Sequence, residues 1–96
     1  MIKHIVMWKF REEVPVSDRL EMKRQLESLK CMIPVLLDIE VGVDVVGSDA
    51  SKDMVLYSEF NSIDDLQAYA AHPEHLKVVD FVKPLVCERH VVDFEV

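Results

Sequence analysis

Hydrophobic and polar positions alternate through the first segment, Ile2 to Phe10. His4, Val6, Trp8 and Phe10 fall on one side, and Lys3, Ile5, Met7 and Lys9 on the other. A period of two predicts a strand, and apolar residues on both sides predict that both of its faces are covered. The pattern then changes. Ser17 or Asp18 offers a helix N-cap, with Asp18 and Glu21 at capping-box spacing. Met22, Leu26, Leu29 and Ile33 recur at helical spacing with Lys23, Arg24, Glu27 and Lys30 between them, which predicts a helix with one packed and one wet face, closed by Pro34. Alternation returns over residues 36–47, carried by Ile39, Val41, Val43 and Val45, and over residues 53–60, carried by Met54, Leu56 and Phe60. The polar "GSDASKD" between them predicts an antiparallel hairpin.

Ser62 and Asp65 signal a second helix, on which Leu66, Tyr69 and Ala70 share a face. That helix ends near His72. Proline disfavours the helical conformation in the residue before it but suits the first helical position, so Pro73 closes one helix and opens the next. The valine-rich segment 85–96 predicts a fourth strand.

The order is β-α-β-β-α-β with its second helix broken, an α+β, ferredoxin-like arrangement around a four-stranded antiparallel sheet. Ninety-six residues fit one domain, residues 1–96. Both helices of such a fold cover the same face of the sheet. The apolar residues on its other face, above all Ile5 and Met7, predict a homodimer packed sheet against sheet. The space between each sheet and its own helices is then the expected ligand cavity.

Charge narrows the partners. A net charge of -7, with eleven basic residues scattered singly or in pairs, argues against nucleic acid. No apolar run has the length of a membrane span, and "MIKHIVMWKF" lacks the uninterrupted apolar core and the cleavage site of a signal peptide. Cys31 and Cys87 stand far apart, outside any CxxC or Cys/His spacing, as expected of buried or bystander thiols in a reducing, cytoplasmic setting.

The densest chemistry lies in "YAAHPEH", residues 69–75. This element, with "IKHIVMWKF" at the start, "PVLLDIEVGVDV" after the first helix, "EFNSIDDLQAYAAHPEH" and the closing "VVDFEV", resembles the stress-responsive A/B barrel domain family, the dimeric α/β barrels. The resemblance covers nearly the whole chain and implies the ferredoxin-like fold and the dimer. A plant member of the family is a polyketide cyclase that uses a tyrosine and histidines of this pocket in an intramolecular aldol condensation. By position the matching residues are His4, Tyr69 and His75, while a further pocket histidine of that enzyme falls on Met54.

The residues themselves support an acid–base reading. His75 lies near the start of the helix opened by Pro73 and shares a face with Val79 and Val82. The positive end of the helix dipole and an apolar cleft both favour its neutral, basic form. His75 is then a base for a proton on carbon beside a carbonyl, Tyr69 a hydrogen-bond donor to the oxygen that gains charge, and His4, read as the first inward residue of its strand, an orienting or substrate-binding group. This chemistry needs no cofactor and no metal. In the alternative reading the same groups only fix the helix junction of a non-catalytic, ligand-binding or stress-response module. A third is a cofactor-free monooxygenase, a chemistry of structurally similar dimeric barrels.

His72 is read as a cap or a solvent-facing residue. Trp8 and Phe10 are read as core or cavity wall, His90 as a surface or interface residue, and Asp64 and Asp65 as first-turn acids stabilising a helix start. A metal held by His4, His72 and His75 is a competing reading, which requires His72 to turn inward.

Overall fold

The computed structural model describes residues 1–96. Strands β1 (Ile2–Phe10), β2 (Asp38–Val43), β3 (Met54–Phe60) and β4 (Val86–Glu95) form one sheet in the order β2-β3-β1-β4, with every neighbouring pair antiparallel. Helices α1 (Val16–Ser28), α2 (Ile63–Ala71) and α3 (Pro73–Val82) pack on one face of it. The ferredoxin-like α+β class is the one expected from the pattern.

Register explains which residues are inside. Val6 stands between Leu56 and Val91, and Leu56 pairs on with Val41, so one row of the inner face is apolar from β2 to β1. Ile2 pairs with Phe60 and Trp8 with Met54, and all four are buried with Met22, Leu26 and Leu29 of the first helical segment and with Ile33 just beyond it. The packed face of that segment is the one its periodicity indicates.

Boundaries shift where caps compete. The first helix begins at Val16, capped by Pro15 in extended conformation, whose carbonyl accepts the amides of both Asp18 and Arg19. The Asp18–Glu21 capping box does not form, because the Glu21 carboxylate accepts instead from Arg24 and Gln25. α1 ends at Ser28 and tightens into a 3-10 turn, Leu29–Cys31, before Pro34 is reached. β2 is shorter than the alternation suggested, since Val45 and Val46 are exposed in the loop that Gly47, at φ 69, turns with Asp44 accepting its amide. Ile2 is the first inward residue of β1, one pleat before His4. Both cysteines are free and exposed.

The second helix starts as its sequence signal indicates: the Ser62 hydroxyl accepts the Asp65 amide at 3.1 Å, and Asp64 and Asp65 occupy the first turn. The outer face of the sheet carries no helix. Ile5, Met7, Val55, Tyr57, Val92 and Phe94 lie on it in adjacent strand positions, with Val92 60% and Phe94 40% exposed. Ser62→Ala should lower unfolding free energy by about 1 kcal/mol, the usual cost of losing such a cap, measured by urea denaturation.

Candidate functional site

The cleft is built around the break at Pro73. In an unbroken helix the Ala70 carbonyl would accept the amide of Glu74 four residues on. Here His72 turns extended, at φ -66 and ψ 136, and its Nδ1 accepts the Glu74 amide at 3.1 Å as the cap of α3. The freed Ala70 carbonyl accepts instead from His75 Nδ1 at 3.0 Å. With its proton on Nδ1, His75 keeps Nε2 as a lone pair. His72 is therefore a cap, and its Nδ1 lone pair is committed to the Glu74 amide. His4, His72 and His75 do not gather as a metal-ligand set, and no three ligating side chains gather elsewhere.

Tyr69 precedes the break on the buried side of α2, with 2% of its surface exposed. Its ring lies 4.4 Å from that of His75 and 5.0 Å from Phe60, and its hydroxyl has no hydrogen-bond partner in the protein. His4 approaches from β1, 6.4 Å from the Tyr69 ring centroid, and its Nδ1 is hydrogen-bonded to the Asp93 carboxylate of β4. His4, Tyr69 and His75 thus meet in one cleft of about 320 Å³ between sheet and helices. Val6, Trp8, Leu26, Leu56, Val78 and Val82 supply much of its apolar wall, so Trp8 is cavity wall while Phe10 belongs to the core. Met54 is buried on the neighbouring part of the sheet.

The electrostatics follow from this burial. Desolvation lowers the His75 pKa from 6.5, opposed by its bond to Ala70 and assisted by the charges of His4, Arg89 and His72. The same desolvation raises the Tyr69 hydroxyl to about 12, against a smaller opposite pull from Arg89. At neutral pH the cleft holds a neutral imidazole beside a protonated phenol, a base and a hydrogen-bond donor in ring contact.

Sequence reasoning missed three of its polar residues. Asp93 and Arg89 lie on β4, where period two marks a face but gives no sign that the strand closes the cleft, and Lys83 follows α3 at its rim. The antiparallel register of β4 on β1 brings the two β4 residues there: His4 pairs with Asp93 and Trp8 with Arg89. His90, on the other face of β4, reaches only Glu88.

The family model for the stress responsive A/B barrel domain matches residues 2–96. The chain is 30% identical over 95 residues to a stress-response A/B barrel domain-containing protein of Arabidopsis thaliana, covering 98% of this chain and 36% of that protein. It thus spans about a third of that relative's length. Olivetolic acid cyclase of Cannabis sativa is 27% identical over 77 residues, which cover 78% of this chain and 76% of the cyclase. Among solved structures, a dimeric protein of ferredoxin-like fold from Bacteroides fragilis superposes with a TM-score of 0.85 at 36% identity, covering 99% of this chain and 95% of that one.

Titration of the histidine ring signals by NMR should place the His75 midpoint below 6.5. A folded-state pKa below the unfolded value means that the unfolded chain binds more protons as pH falls through that range. The His75 contribution to stability is therefore complete above 6.5 and lost on acidification, and His75→Gln should flatten the fall in unfolding free energy on the acid side.

Proposed function

The chain belongs to the stress responsive A/B barrel domain family, and from that membership and the cleft we propose a cofactor-independent acid–base site for a small, largely apolar carbonyl or phenolic compound, of cyclase or lyase type. The observation that carries this reading is the convergence of His4, Tyr69 and His75 on one apolar cleft, with the His75 Nε2 and the Tyr69 hydroxyl both without a protein partner.

In this reading His75 Nε2 takes a proton from the carbon beside a carbonyl, and the C–H electron pair moves into an enolate. The Tyr69 hydroxyl donates to the enolate oxygen, and its pKa of about 12 keeps it a donor throughout. The enolate carbon attacks a second carbonyl of the same compound to give an alkoxide, or is itself reprotonated. The protonated His75 returns its proton to the resulting alkoxide or carbon, so the site ends as it began. His4, its Nδ1 held by Asp93, presents its other nitrogen to position the second oxygen. Olivetolic acid cyclase is a relative whose name describes a cyclisation, which favours this class over a purely structural junction. The non-catalytic module remains the second reading, supported by the structural use that His72 and His75 both have in joining α2 to α3.

We further propose that the protein is a homodimer joined through the outer sheet face. The helix-free apolar patch of Ile5, Met7, Val55, Val92 and Phe94 supports this, as does the dimeric Bacteroides fragilis relative. No helix is long and apolar enough to cross a membrane, and two free exposed thiols support a reducing, cytoplasmic setting.

Deuterium exchange into the methyl group of acetophenone, followed by NMR in heavy water, tests the chemistry. Exchange should exceed the buffer rate and fall by about a hundredfold in His75→Gln and Tyr69→Phe. Its rate should rise through a midpoint below 6.5 and then hold well into the alkaline range. Exchange no faster than buffer, or unchanged in both variants, sinks the catalytic reading and leaves the binding module. Light scattering should give a dimer mass, and Met7→Glu with Val92→Glu should give a monomer. A monomeric wild-type chain at micromolar concentration contradicts the interface.

A further inference from the structure

Arg89 is a cation without an ion-pair partner on the rim of an apolar cleft, in a chain of net charge -7. The acids beside it on β4 are already engaged: Glu88 with Lys52 at 3.1 Å and with His90 at 3.2 Å, and Asp93 with His4. Its register partner is Trp8, so its side chain rises from the inner face of the sheet next to the indole that forms the cleft wall. Lys83, the residue that follows α3, lines the same rim and also lacks an ion-pair partner. Unpaired guanidinium and ammonium groups facing an apolar cavity match a ligand with an apolar body and an anionic end.

We propose that Arg89, assisted by Lys83, is the anchor for a carboxylate on the compound that His75 and Tyr69 act upon, so that the ligand class is a small aryl or acyl keto acid. This rests on the acid–base reading of the cleft. The planar fork of Arg89 takes both carboxylate oxygens, while the apolar body lies against Trp8, Val78 and Val82 and points its carbonyl towards Tyr69. The positive charge of Arg89 also acts on both Tyr69 and His75, as its lowering effect on each pKa indicates. A singly charged carboxylate suits one guanidinium and one ammonium in a protein whose overall field is negative.

Trp8 is the only tryptophan of the chain, so its fluorescence reports occupancy of the cleft without any turnover. Titration with benzoylpropionate and with its neutral amide should show the acid bound about tenfold more tightly. In Arg89→Gln the ratio should fall close to one, and in Lys83→Gln it should fall by less; Arg89→Glu should invert it. Thermal melting of each variant checks that these exposed substitutions leave the fold intact. Equal affinity for acid and amide in the wild-type protein overturns the anchor while leaving the acid–base site standing. An unchanged ratio in Arg89→Gln overturns the assignment to Arg89. Tighter binding of phenyl phosphate than of benzoylpropionate overturns the carboxylate class. Failure of both the acid and the amide to perturb Trp8 overturns the anchor and, together with absent acetophenone exchange, the acid–base reading as well.

Discussion

The site depends on a missing amide proton. Pro73 cannot donate to a helical carbonyl and holds the residue before it out of the helical region, so the helix after the third strand must break between Ala71 and Pro73. Breaking it parts the Ala70 carbonyl from the Glu74 amide, and each is recaptured by a histidine. His72 accepts from the Glu74 amide, and His75 donates to the Ala70 carbonyl. The second of these bonds sets the tautomer of His75 and leaves its Nε2 bare. A local repair of backbone hydrogen bonding thereby fixes which ring nitrogen of His75 is left without a protein partner.

Burial then acts on two groups in opposite chemical senses through one cause. Removing water from the Tyr69–His75 pair disfavours the charged form of each, so the imidazole stays a base and the phenol keeps its proton across the neutral range. Ring contact at 4.4 Å keeps them on one substrate-sized surface. The apolar wall is what makes this possible, and it comes from the same inner-face residues that hold the fold together. Core and cavity share Val6, Trp8, Leu26 and Leu56.

Much of the fold was legible because period two and period 3.6 are separated cleanly along this chain, and the break at Pro73 is marked by covalent chemistry. Met22, Leu26, Leu29 and Ile33 all reach the core their spacing implies. Element ends were less legible. Pro15 supplied a backbone cap that outcompeted Ser17 and Asp18, and a valine pair at Val45 and Val46 mimicked strand where a Gly47 turn had already begun. Tyr69 and His75 were legible as candidates because both lie in the seven residues around one junction, and both line the cleft. Their juxtaposition with His4 follows from the sheet order.

The amino-acid sequence by itself determined the element order, the packed faces of the helices and the break at Pro73, because these rest on local periodicity and on the covalent chemistry of proline. Only the tertiary structure decided that β4 pairs with β1 in the register that sets Asp93 beside His4 and Arg89 beside Trp8. A strand pattern specifies which residues share a face but not which residues of another strand stand opposite them. That register converts two ordinary polar positions of a valine-rich strand into a histidine partner and a cation at the cleft.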